Sequence, residues 1–444
     1  MNSRETALQI LMEFEEGHLY SNLLLNKELK KGNFSEVDKT FITQLVYGVI
    51  SNRIFLDFVI RKFSKIRLKK IAPPILTTLR MGIYQIYFLS RVPVSAACDE
   101  SVKLARKYGH NASANFVNAI LRNVAKTEKR RILDEIPSLD ERLSVEYSYP
   151  LWLITLWLKQ FGKEETVQLL KKNEEVPYQC LRVNTLKLSR EELKERLTAD
   201  GVEVQEGVVS DILYTNTSKN LLNSSYFEDG LLTFQDEAPA LVAHLLEAED
   251  GEEILDICAA PGGKTTHIAE LTKDQAKITA MDLYEHRCKL IEELAERLGI
   301  HSITTLAQDA SIYCPEYEEK FDRIVADVPC SGLGVIRKKP DIKLRVEEGD
   351  IEKINEIQKA ILRNAARYLK KGGRLLYSTC TNTACENEDT VRWFLEEYKD
   401  FEIDTKEEVI PEKFRSGLVN GMLTLSPTHQ DTDGFFICSF CKKR

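Results

Sequence analysis

Asp256-Ile257-Cys258-Ala259-Ala260-Pro261-Gly262-Gly263-Lys264-Thr265 is the stretch on which the fold turns. It continues an apolar run, Ile254-Leu255-Asp256-Ile257, and leads into a helical pattern from about Thr265. It therefore reads as a glycine turn between a strand and a helix, where backbone without side chains approaches a ligand closely. A phosphate-binding loop needs a glycine five residues before the glycine of its Gly-Lys pair; Cys258 stands there, so that reading fails at its first glycine. The dinucleotide fingerprint G-x-G-x-x-G is absent as well.

Outward from this turn the pattern alternates. Strands are expected at 277–281, 303–306, 321–326 and 374–378, and helices at 283–298 and 351–369, the last stopped by Gly372-Gly373. Residues 422–425 and 435–440 fit a terminal antiparallel pair. Repeated β-α units predict an α/β, Rossmann-like domain over 236–444, with a mostly parallel sheet and helices on both faces. Ligands of such sheets bind beyond the C-terminal strand ends.

Three acids and two thiols fall there. Asp282 ends the second strand and suits two ribose hydroxyls; Asp309, just past the third, suits an adenine amino group. A nucleoside ligand that needs no phosphate cradle fits S-adenosylmethionine, held by Cys258, Ala259, Ala260, Pro261, Gly262, Gly263, Lys264, Asp282, Asp309 and Asp327. Asp327-Val328-Pro329-Cys330-Ser331-Gly332 follows the fourth strand, and Ser378-Thr379-Cys380-Thr381 the fifth. Either cysteine alone reads best as a small buried hydrophobe. Two at neighbouring strand ends, with an acid three residues before one, point to nucleophilic chemistry.

The rest of the 444 residues is long enough for two or three domains. Residues 1–140 carry apolar residues at helical spacing and no alternating pattern, which predicts an all-helical domain. Residues 141–235 are mixed: helices at 151–161 and 165–172, a strand at 178–183, a capping-box pair Ser189 and Glu192 opening a helix that Gly201 ends, and a strand from Val202. This reads as a β-α-β unit in a small α+β connecting domain.

Charge is unevenly spread. Between 51 and 131, 17 Lys and Arg face four acids, a local net of +13 in a chain whose total is −8. Six of the ten residues from Arg61 to Lys70 are basic. Such a block on an acidic protein points to a polyanion, and nucleic acid is favoured over a merely solvated face. No stretch is long and apolar enough for a bilayer, and the N-terminus lacks a signal-peptide pattern, so a cytoplasmic protein without membrane contact is expected. The ten cysteines then read as free thiols, eight of them from Cys258 onward. Cys438-x-x-Cys441 has no second pair and reads as strand and tail, and the seven histidines show no ligand spacing, so no metal is expected.

With these motifs in order, the chain resembles over its whole length the bacterial 16S ribosomal RNA cytosine-5 methyltransferases with a NusB-like first domain (the Sun/Fmu type). Arg182-Val183-Asn184, Gln235-Asp236-Glu237-Ala238, Pro340-Asp341 and Glu386-Asn387-Glu388 complete the set. It departs at Thr381, where many relatives have serine, and at Lys338-Lys339, where arginine is commoner. The resemblance implies Cys380 as the nucleophile that adds to cytosine C6, Cys330 as the thiol that aids release, Asp327 acting at N3, and Lys264 beside them. It implies 16S ribosomal RNA as partner, cytosine 967 as target, a base presented outside a stack, and a monomer. The competing readings are a transfer-RNA methyltransferase with the same catalytic domain, an enzyme acting on an exocyclic amine, and a non-catalytic RNA-binding factor. The two strand-end cysteines oppose the last two.

Overall fold

A computed structural model describes residues 2–17, 19–217 and 221–444. By contacts the chain forms two compact units, Met1–Lys171 with Lys339–Arg345, and Lys172–Lys338 with Val346–Arg444. The helical unit thus runs past residue 140 and takes in a short segment from within the α/β sequence.

The elements of the first unit from Ser3–Glu15 to Leu139–Tyr147 are all helices, as the spacing predicts. The chemistry of the ends is local. Asn2 accepts from Glu5 N at 2.9 Å, Ser35 accepts from Asp38 N at 3.2 Å, and Pro73 opens the helix Pro73–Phe88, where a missing N–H costs nothing. Leu8, Val46, Leu56, Leu79, Ile83 and Leu121 are among the residues that close the core. The helical stretch Leu151–Lys172 is broken at Gly162, whose φ of 79° only glycine adopts readily, so the two expected helices meet there. The segment Lys339–Arg345 packs by its cations: Arg345 lies 4.7 Å from the Tyr20 ring and Lys343 4.1 Å from that of Tyr149. Arg61, Lys62, Lys65, Arg67, Lys69 and Lys70 are all exposed, and among the described residues only Lys62 pairs with an acid, Glu135.

The second unit holds two sheets. The small one comprises β1 Gln179–Val183, β2 Val204–Glu206, β3 Ile212–Thr215 and β4 Leu232–Phe234 in the order β2-β3-β1-β4. Every pairing in it is antiparallel, so the expected β-α-β unit is absent: β1 is flanked by β3 and β4, and β2 lies at the edge beside β3. The helix Arg190–Ala199, with its capping box formed, packs Leu193 and Leu197 against Leu181, Val183 and Leu213 instead of carrying a crossover between paired strands.

The large sheet comprises β5 Glu253–Asp256, β6 Lys277–Asp282, β7 Ile303–Ala307, β8 Phe321–Asp327, β9 Leu369–Thr379, β10 Phe401–Ile403, β11 Leu418–Val419, β12 Met422–Leu425 and β13 Phe435–Lys442. Its order is β11-β12-β13-β9-β8-β5-β6-β7, with β10 on β13. Strands β5 to β9 pair in parallel, while β13 runs antiparallel to β9 and β12. The sequence order reverses around β5, flanked by β6 and β8, which puts a crevice beyond its C-terminal end. Cys438 is buried within β13, in keeping with its reading as a strand residue. One expectation fails here. The helix Glu348–Tyr368 ends before Gly372-Gly373, and those glycines lie inside β9, where the register against β8 slips between Phe321 and Arg323. Their role is to let the strand bulge, not to stop the helix.

Among the described residues no helix is long and apolar enough to cross a membrane.

Candidate active site

The turn after β5 is fastened to its neighbours by backbone. Ile257 N donates to Val325 O at 2.9 Å and Ala259 N to Met281 O at 2.8 Å, so the loop starts from fixed points on both flanking strands. Gly262 has φ +100°, a conformation that favours glycine, and a Cβ there would stand a tight 3.2 Å from Ile291. A pocket of about 110 Å³ opens over this turn, lined by Gln235, Pro239, Asp256, Cys258, Gly263, Lys264 and Asp327 among others.

Asp282, at the end of β6, accepts from Ala260 N at 3.1 Å through Oδ2. Its Oδ1 is buried without a hydrogen bond, with Arg287 Nη1 at 3.3 Å as ion partner. An orphaned carboxylate oxygen of this kind suits a ligand diol. Asp309 lies past β7 and accepts from Ser311 N at 2.9 Å and Ser311 Oγ at 2.6 Å, both through Oδ1. Asp256 takes the Thr265 hydroxyl at 2.7 Å, and complete burial pushes its carboxyl up to about 7. Burial likewise holds the Cys258 thiol well above its ordinary value.

Across the crevice the remaining site residues converge. Lys264 Nζ donates to Asp327 Oδ2 at 2.6 Å, and Ser378 Oγ donates to Asp327 Oδ1 at 2.7 Å. Burial opposes the Lys264 ammonium, but Asp327 outweighs it and the pKa is raised; its charge also interacts with Cys380. The two thiols, fifty residues apart in sequence, stand 3.1 Å from each other. Cys380 N donates to Cys330 Sγ at 3.3 Å. The hydrogen bond to Cys380 and burial together keep the Cys330 thiol well above its ordinary value, so Cys330 is a neutral thiol near pH 7.

Supports that spacing alone does not reveal hold these loops. Glu386 is fully buried and accepts from Ser331 N at 2.8 Å, Ser331 Oγ at 2.6 Å, Thr383 Oγ1 at 2.6 Å and Gln358 Nε2 at 3.1 Å. One carboxylate thereby fixes the loops of both thiols. Thr381 Oγ1 lies 2.7 Å from Ser331 Oγ, so its hydroxyl takes part in the same network. Gly334 N donates to Cys380 O at 3.0 Å and Gly434 N to Gly334 O at 2.9 Å; a Cβ on Gly334 would sit 2.1 Å from Gly434 O. Lys338 is engaged by Asp236 and, at 3.0 Å, by Asp433. Arg182 and Asn184 also act as structural ties. Buried Arg182 binds Gln235, Gly263 O, Thr266 Oγ1 at 3.0 Å and Glu270 Oε1 at 2.8 Å, and Asn184 Nδ2 donates to Gly230 O and Leu298 O, both at 2.9 Å. The small sheet is thus bound to the helix that leaves the glycine turn. Two of the histidines set aside above, His244 and His267, also come together, on Asp211.

Known proteins show the same parts in the same order. Residues 1–126 match the NusB family, 149–217 a ferredoxin-like domain of RsmF/B-like methyltransferases, and 243–441 the family described as 16S rRNA methyltransferase RsmB/F. The chain is 40% identical over 442 residues to a probable ribosomal RNA small subunit methyltransferase B of Bacillus subtilis, covering 99% of this chain and 98% of that protein. The crystal structure of PH0851 superposes with a TM-score of 0.84 at 28% identity, covering 98% of each chain. A crystal structure of NSun6 from Pyrococcus horikoshii with SFG superposes with a TM-score of 0.57 at 25% identity, over 65% of this chain and 97% of that one. With 40% identity to such a relative over almost its whole length, the chain belongs to the RsmB/F family of 16S rRNA methyltransferases and is an S-adenosylmethionine-dependent enzyme.

Proposed function

We propose that this chain methylates C5 of a cytosine in 16S ribosomal RNA, cytosine 967 by the resemblance, through a transient covalent bond between Cys380 and C6. The observation that supports the reading is the thiol pair: two cysteines 3.1 Å apart at the ends of adjacent parallel strands, beside an Asp327–Lys264 ion pair. C5 of cytosine is a poor nucleophile. Addition of the Cys380 thiolate at C6 moves the ring electrons toward C5 and N3, and Asp327 is the acid group that serves N3. Lys264 contributes positive charge near both Asp327 and Cys380. The cofactor, held by the Cys258–Lys264 turn, Asp282, Asp309 and Asp327, supplies an electrophilic methyl group. The C5 proton must then pass to a base such as solvent water while the C6–S bond breaks and returns its electron pair to Cys380 as thiolate; Cys330, against Cys380, assists that release.

In this reading the three-part division 1–140, 141–235 and 236–444 has a purpose. The first part, acting within a monomer, holds the RNA backbone through its exposed basic block, while the target base is drawn out of its stack.

Transfer of a labelled methyl group to 16S RNA tests the reading directly. Cys380→Ala is expected to abolish transfer and form no covalent RNA. Cys330→Ala is expected to accumulate a methylated protein–RNA species that survives denaturant. Free turnover by Cys330→Ala with no trapped species removes the release role, and transfer by Cys380→Ala removes the covalent route. Trapping with RNA altered only at cytosine 967 decides the target.

A further inference from the structure

We propose that Asp211, His244 and His267 form a binding site for one divalent transition-metal ion of the Zn2+ type, separate from the methyl-transfer site. Asp211 lies in the turn before β3, His244 in the helix Glu237–Leu246 and His267 in the helix Gly263–Leu271. One ligand atom from each lies within 4.8 Å of the others. His244 Nε2 is 3.3 Å from Asp211 Oδ1, and His267 Nε2 contacts Asp211 Oδ2. The two rings meet edge to face with centroids 5.2 Å apart. Three elements remote in sequence therefore each bring one donor atom to the same place.

Charge is the second observation. Asp211 is 3% exposed and His267 is fully buried. Among the described residues no lysine or arginine pairs with Asp211; its ion partners are the two imidazoles. The His267 imidazole is the more deeply buried of the two. Its Nδ1 has no hydrogen-bond partner, so the polar interactions of the ring are all directed at Asp211. A buried charge is stable when it is paired or when it coordinates a metal.

The donor set selects the ion. Two imidazoles and one carboxylate make up a three-ligand Zn2+ site whose fourth position is taken by water, whereas Mg2+ and Ca2+ take oxygen shells. Donors on a tetrahedral Zn2+ with bonds of about 2.0–2.2 Å stand about 3.3–3.5 Å apart. The 3.3 Å between His244 and Asp211 already matches this spacing, and His267 has to withdraw from direct contact with Asp211 to admit the ion. His244, whose side chain is 20% exposed, is the entry side. The bound ion would join the small sheet to the helix that begins at the cofactor turn.

The test uses the full chain stripped with a chelator, with Zn2+ and Co2+ as probes. One equivalent is expected to bind by titration calorimetry and to raise the melting temperature. The Co2+ form is expected to show visible bands of a four- or five-coordinate N/O site and no thiolate charge-transfer band. His244→Ala, at the exposed edge and least able to disturb folding, and Asp211→Asn are expected to lower the affinity at least tenfold, with circular dichroism of the metal-free proteins unchanged. Absence of stoichiometric binding overturns the proposal. So does binding that survives His244→Ala undiminished, which takes the ion off this cluster, or a thiolate band, which puts it on the cysteines.

Discussion

Replacing Arg182 by methionine should destabilise this protein far more than the loss of one ion pair on a surface would. Arg182 is fully buried and Glu270 is 2% exposed, and Arg182 is the only ion partner of Glu270 among the described residues. Glu270 Oε2 already lacks a hydrogen bond, so Arg182→Met leaves a whole carboxylate without compensation. Breaking a buried pair from one side costs about 3–5 kcal/mol, mostly as the stranded charge. At about 2–4 °C per kcal/mol for a domain of this size, the melting temperature should fall by roughly 6–20 °C. The pH dependence supplies a sign. Burial pushes Glu270 up to about 7 even beside Arg182, above its ordinary 4.5 in the unfolded chain. The folded state therefore holds the proton more tightly, and the deficit of Arg182→Met should shrink as pH falls from 8 toward 5. Arg182→Met with Glu270→Met removes both charges from a site that can pack methylenes, and should regain most of the loss. Urea melts of wild type, the two single mutants Arg182→Met and Glu270→Met, and the double mutant at two pH values measure all of this. A single mutant within 1 kcal/mol of wild type, or a double mutant as unstable as the single, would refute the reasoning.

Neutralising Lys65, Arg67, Lys69 and Lys70 to alanine should weaken RNA binding and reduce the slope of log affinity against log salt by about 3, measured by filter binding across a salt series; an unchanged slope removes the block from the interface. Glu386→Gln puts an amide where four donors converge and should lower single-turnover methyl transfer by about 10–100-fold, with cofactor affinity within about twofold by calorimetry. An equal loss of cofactor binding would locate the fault outside the thiol loops. Asp256 has a folded pKa of about 7 above its ordinary 3.8, so the stability it contributes is present at low pH and is lost as pH rises toward 7. Asp256→Asn keeps an acceptor for Thr265 and should gain on wild type between pH 5 and 8, by about 4 kcal/mol at most; parallel denaturation curves across that range would contradict the assigned burial.

The sequence made the parallel strands and their ends legible because they are short apolar runs closed by turn residues, and β5 to β8 fall within a residue or two of expectation. It also put Cys330, Cys380, Asp282, Asp327 and Lys264 at one end of the sheet, since strand direction alone fixes which ends share a side. Where it failed, the deciding contacts are non-local. Nothing in residues 178–215 tells an antiparallel β1–β3 pair from a β-α-β unit; what decides is Leu213 lying opposite Leu181, a pairing across some thirty residues. Gly372-Gly373 looked like a helix stop because glycine serves both helix ends and bulges, and only the register against β8 separates the two. His244 and His267 share no ligand spacing with Asp211, since the three stand on different elements. Glu386 was visible as part of a motif, but its task was not, because its partners Ser331 and Gln358 are 55 and 28 residues away.

The contact between Gly334 and Gly434 bears on how such an enzyme could be rebuilt. The Cys380 carbonyl, Gly334 and Gly434 form a chain of main-chain hydrogen bonds in which a single added methyl would strike a carbonyl oxygen. Part of the geometry around Cys380 is thus encoded by missing atoms and shared between two segments a hundred residues apart. A designer grafting the 330–340 loop from a relative to change substrate choice would have to transplant its glycine counterpart at 434 as well. Saturation libraries at either position alone should return almost no active clones, however generous the screen.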